Sequence, residues 1–154
     1  MNGGRRRDGP HGGPGRGKAR GGGRSGDEPR GLHPEEVRKI LDGDAATIVD
    51  SARRIAAATE AKASQIRNVY AALVQIRQSK AGPRKKLSQL VLMKPRLAYA
   101  EAREQKAAPV TQALTALIDG ASRPAQGPPE ADHVLEHIFD FGEALVAYHK
   151  TFRR

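Results

Sequence analysis

His133, His137 and Asp140 stand at spacings of four and three, so on a helix two imidazoles and a carboxylate share one side, a donor set that suits a divalent metal. The pattern lacks the glutamate placement of the HExxH metalloproteases, and no upstream helix offers a further ligand cluster. Surface histidines beside acidic residues are the commoner outcome, and His149, near an apolar seam, reads as a packed side chain rather than a base. The chain carries no nucleophile elbow, P-loop or dinucleotide fingerprint, and its N-terminal glycines precede no strand. The sequence thus offers no catalytic residue, metal or cofactor, and the expectation is a protein that is not an enzyme.

Positive charge is the stronger chemical signal. The formal net charge of +10 is unevenly distributed. Residues 1–30 carry +5, residues 31–61 and 107–154 carry −2 each, and residues 62–106 carry +9. In this middle segment Lys62, Arg67, Arg77, Lys80, Arg84, Lys85, Lys86, Lys94, Arg96, Arg103 and Lys106 face only Glu101 and Glu104. Charge serving solubility alone has no reason to divide in this way, whereas a surface that neutralises phosphates does. The alternative is a solvated basic face without a partner.

These cations need elements to position them, and helices are the default. Alanine is abundant, tryptophan is absent, and alternating β-branched runs are missing. Residues 1–31 are rich in Gly and Arg and poor in apolar side chains, so they cannot bury enough surface to offset the entropy of ordering; the expectation is a disordered tail. Residues 32–154 then form one all-α domain, a compact bundle of about five to six helices. The absence of cysteine excludes disulfides and cysteine-ligated zinc and fits a reducing cytoplasm. Neither a signal peptide nor an 18-residue apolar run is present, so no membrane span is expected.

The first helix opens at His33-Pro34 and ends near Gly43. A second follows Asp44 as N-cap, with Ile48, Ser51, Ala52 and Ile55 on one face. The third begins with Ser64 as cap, carries Ile66, Val69, Tyr70, Leu73, Val74 and Ile76 at helical spacing, and stops at Gly82-Pro83. The fourth, about Arg84 to Lys106, has Leu87, Leu90, Val91, Leu97 and Ala98 as its core side, and Lys85, Leu92, Arg96, Tyr99, Arg103 and Lys106 opposite. Pro95 inside it is either a kink or the start of another helix, and Tyr99 is either a packed aromatic or a stacking platform. A fifth covers about Val110 to Asp119 and ends at Gly120. After the loop ASRPAQGPPE, the last runs from about Glu130 to the end with a seam of Val134, Ile138, Phe141, Leu145, Tyr148 and Phe152, either a core or a subunit contact, and Gly142 beside it allows close backbone approach.

Three segments on this frame, SQIRNVY at 64–70, KPRLAYAEAR at 94–103 and VAYHK at 146–150, resemble the small subunit of the type III-A CRISPR (Csm) effector complex, over about residues 44–154. The resemblance implies a non-catalytic helical subunit whose copies stack head to tail along the duplex of guide RNA and target RNA. Partners would be both RNAs, other copies of itself, and the large and backbone subunits, with target cleavage belonging to the backbone subunit. It implies RNA contact at Arg67, Lys94, Arg96 and Arg103, to which the charge distribution adds Lys62, Lys85 and Lys106. Guide pairing reads sequence in such assemblies, which leaves the protein shape and phosphates to hold. The charge alone equally permits a free-standing basic helical protein of nucleoid or RNA-chaperone type.

The separation of tail from domain is testable. Deleting residues 1–30 is expected to leave the thermal midpoint nearly unchanged while lowering RNA affinity and its salt dependence, by roughly 0.7 in the log–log slope for each single-strand phosphate that the tail no longer neutralises. Circular dichroism melts and titrations at several salt concentrations measure both.

Overall fold

The computed structural model describes residues 31–123 and 128–152, the side chains of 128–132 excepted; the expected disordered tail lies, but for Gly31, outside the described residues. Six α-helices form the fold, with no strand among the described residues: α1 Pro34–Leu41, α2 Ala45–Ala58, α3 Ala63–Gln78, α4 Pro83–Arg103, α5 Ala108–Ala121 and α6 Pro128–Phe152. A 3-10 turn, Gln105–Ala107, joins α4 to α5. No helix among the described residues is long and apolar enough to cross a membrane.

Local sequence explains most boundaries. Pro34 occupies the first turn of α1, and the Glu36 carboxylate accepts the His33 N–H at 2.9 Å, satisfying a donor that the helix leaves free. Gly43 then turns the chain with φ 89°, a conformation that disfavours any side chain, and a Cβ there would meet the His137 ring at 2.7 Å. Asp44 is the N-cap of α2, but its carboxylate takes the Thr47 hydroxyl rather than a backbone N–H. At α3 the cap is Lys62, not Ser64, because Gln65 Oε1 accepts the Lys62 N–H at 3.1 Å and starts the helix two residues earlier. Ser64 lies exposed in the first turn.

Pro95 neither breaks α4 nor begins a new helix: the 21 residues from Pro83 to Arg103 are one helix with the proline inside. The missing N–H deprives the Val91 carbonyl of its intrahelical donor. The helix ends three residues before the expected Lys106, since Glu104 turns extended and its carboxylate caps the 3-10 turn at Lys106 N. Nor does Gly120 end α5. It is buried inside the helix, where a Cβ would stand 2.7 Å from Leu41 Cδ1 and 3.1 Å from Val37 Cγ1, so it admits α1 rather than stopping α5.

The core forms around α6, which packs against all five other helices. Val134, Ile138, Phe141 and Leu145 of its seam are buried together with Ile40, Ile55, Leu73, Leu90, Leu97 and Leu114. Here the two readings of the seam separate: these four side chains belong to the core of a single chain, while Tyr148 is only half-buried and Phe152 is exposed. The would-be Cβ of Gly142 lies 2.8 Å from Leu73 Cδ1, so α3 approaches α6 closely, as the sequence suggests. Ile48, Ser51, Ala52 and Ile55 of α2 are all buried as expected. On α4 the buried arc is Leu90, Met93 and Leu97; Val91 and Ala98, expected inside, are exposed. That arc is narrower than hydrophobicity alone suggests, because its flank toward α5 is an open groove lined by Val91, Pro95, Ala98 and Ala116.

Phe141 has no exposed surface, so Phe141→Ala is expected to cost about 3 to 5 kcal/mol, and Leu145→Ala about 2 to 5 kcal/mol, in urea unfolding of the full-length protein. Phe152→Ala, at an exposed end, should change stability by less than about 0.5 kcal/mol.

Candidate nucleic-acid interface

The α3–α4 hairpin carries the +9 segment, and its ends are held together. The Lys106 carbonyl accepts both the Thr59 hydroxyl at 2.8 Å and the Glu60 N–H at 3.3 Å, so the chain enters α3 beside the point where it leaves α4. Thr59 is fully buried, which makes this a specific anchor at the end of α2, where no glycine stands to stop the helix.

The structure divides the cations into two groups. Arg77 is turned inward against α6, where Glu136, Asp140 and Glu143 surround its guanidinium at 3.1, 3.9 and 3.7 Å and the Phe139 ring lies 5.8 Å away. Lys86 donates to the Arg77 carbonyl at 2.9 Å, and Lys94 pairs with Asp119 of α5. These charges are engaged in holding helices together. Of the seven expected contact residues, Lys94 therefore stands apart, half-buried on the α5 side of α4.

The other eight cations, Lys62, Arg67, Lys80, Arg84, Lys85, Arg96, Arg103 and Lys106, are all exposed and form no ion pair among the described residues. At about 100° per residue, Lys85, Arg96 and Arg103 fall within roughly 20° of one another on α4, with Leu92 and Tyr99 on the same side. The row from Lys85 to Arg103 is about 27 Å long at the helical rise of 1.5 Å per residue. Lys62 and Lys106 join it at the anchored end of the hairpin, and Arg67 lies one turn into α3. Eight cations without carboxylate partners make a field suited to a polyanion, with little stability at stake in any one of them.

A groove runs between α3 and α4 beside this row. One part, about 260 Å³, is lined by Ala72, Ile76, Leu92, Met93 and Arg96; the other, about 460 Å³, by Asn68, Val69, Tyr99, Ala100 and Arg103 among others. The α3 side of the groove escaped sequence reasoning because Val69 was grouped with the apolar positions of the helix and Asn68 was given no role, although both stand in SQIRNVY. No group of three His, Asp or Glu side chains able to hold a metal occurs among the described residues. His137 Nδ1 is instead 2.9 Å from the Leu41 carbonyl at the end of α1, and Asp140 faces Arg77. His149 is buried, as expected of a packed histidine.

A family model described as Csm2 Type III-A matches residues 42–154. Neither a curated protein nor a solved structure matches the chain.

Because the Arg77 cluster is half-exposed, its contribution is modest. Arg77→Ala is expected to lower stability by about 1 kcal/mol, less at high salt, when thermal or urea unfolding is compared across ionic strengths. An equal loss at all salt concentrations would assign the effect to the stacking of its guanidinium over the Phe139 ring.

Proposed function

The chain belongs to the Csm2 type III-A family and is thus a small subunit of the type III-A Csm complex, and from that premise we propose that it serves the complex without catalysis, as an RNA-gripping element of antiviral interference in the cytoplasm. Copies stack beside the duplex of guide RNA and target RNA, next to the large and backbone subunits, and hold the duplex by sequence-independent phosphate contacts. The observation that supports this most is the row of exposed, unpaired cations along α4, with Lys62 and Lys106 at its anchored end; Arg67 is also exposed and unpaired, on the side of α3 away from the groove.

Arg96 and Arg103 form the centre of the contact, with Lys62, Lys85 and Lys106 at its ends and Arg67 on the outer face of α3. Lys94 has a different part in this proposal: its ammonium group, paired with Asp119, sets the position of α4 against α5 and contributes only long-range field to the RNA. Arginine at the central positions suits the task, because its planar fork donates two parallel hydrogen bonds to a phosphate.

The triple variant Arg67→Ala, Arg96→Ala, Arg103→Ala should remain folded, because each site is exposed and such changes rarely exceed about 0.5 kcal/mol. Its affinity for RNA should fall about equally for every sequence, with the log–log salt slope flattened by roughly 0.7 for each single-strand phosphate no longer neutralised. An unaltered slope, together with normal capture of target RNA by the assembled complex, would leave the row as a solvated face.

A further inference from the structure

Tyr99 is 64% exposed, and Leu92, two turns earlier on the same face, is 72% exposed. A packed aromatic is therefore excluded within this chain. The Arg103 guanidinium carbon lies 5.7 Å from the centre of the Tyr99 ring, which leaves one ring face toward a cation and the ring as a whole at the mouth of the 460 Å³ groove. That volume falls in the range of small-molecule sites. Opposite, α3 supplies an apolar wall at Val69 and the Asn68 amide, whose donor and acceptor have no partner among the described residues. Gln65 adds an amide nitrogen, its oxygen being taken by Lys62 N. The acidic group lining the groove, Glu104, is occupied at Oε1 by the Lys106 N–H.

An aromatic platform, an apolar wall, an unpartnered amide and a cation at the rim match the parts of a nucleotide: a flat base to stack, base edges with donors and acceptors, and a phosphate. A row of phosphate-binding cations alone requires none of the first three. Resting on the RNA-gripping role above, we propose that the groove between α3 and α4 receives one unpaired base of an RNA strand, stacked on Tyr99, with Asn68 at its edge and Arg103 on the adjoining phosphate. The site holds any base, because stacking is available to all four and a single mobile amide imposes little choice. A paired base cannot enter, since its faces and edges are already occupied in the helix.

The test uses the full-length protein and short single-stranded RNAs carrying one 2-aminopurine, whose fluorescence drops when the base stacks. Tyr99→Phe should bind as wild type and retain the quenching. Tyr99→Ala should lose the quenching and bind roughly 5- to 100-fold more weakly with an unchanged salt slope, whereas Arg103→Ala should flatten the slope. Affinity for a fully paired RNA duplex should not respond to Tyr99→Ala. Equal quenching by wild type and Tyr99→Ala, or an equal loss of duplex binding, overturns the base site. If the Arg67, Arg96 and Arg103 alanine variant weakens RNA binding while Tyr99→Ala does not, the base site fails and the phosphate-gripping role stands; if neither changes binding, both fail.

Discussion

Burial of α6 on several sides is the constraint from which the rest of the molecule follows. A 25-residue helix is about 37 Å long, enough to span the bundle, and this one packs against every other helix. Its apolar positions must serve partners in several directions, which is why Leu135 and Phe139 are buried as well as the seam of Val134, Ile138, Phe141 and Leu145. With the apolar surface so committed, α3 and α4 receive only partial cover. Ile66 and Leu73 are the buried residues of α3, and Leu90, Met93 and Leu97 those of α4. The open sides left over are where the cations and the groove lie.

Helix number, the α2 face and the core seam were legible because each rests on local chemistry or on a strong 3.6-residue period; α3, by contrast, ends at Gln78, and Gly82-Pro83 open α4 as its N-cap and first residue. Errors arose where tertiary contact decides. Gly120 reads as a terminator, since glycine weakens helices, yet the approach of Leu41 and Val37 makes its missing side chain a packing requirement. Val91 and Ala98 read as core from Leu87 onward, but α4 turns the arc centred on Leu90 inward, and no sequence period distinguishes two arcs that share Leu97.

The candidate interface was legible in outline only. Composition located the +9 segment, but not which charges are engaged. Arg77 and Lys94 are neutralised by carboxylates 59 and 25 residues away in sequence, a pairing created by the packing of α3 on α6 and of α4 on α5. Lys85, Arg96 and Arg103 share a face whatever the fold, so their grouping followed from helical spacing. The groove needed two helices side by side, and so Asn68 and Val69 gained a role visible only in three dimensions.

The meeting of Thr59, Glu60 and Lys106 at one carbonyl oxygen gives the chain an unusual topology of charge. The basic stretch is a helical hairpin whose two ends meet at one point, while Leu73, Leu90 and Leu97 keep its body in the core. Its far tip at Gly82-Pro83 is exposed. Insertions or deletions there would change how far the cationic arm reaches without altering where it is rooted, so reach and rooting are separate variables on which evolution can act independently.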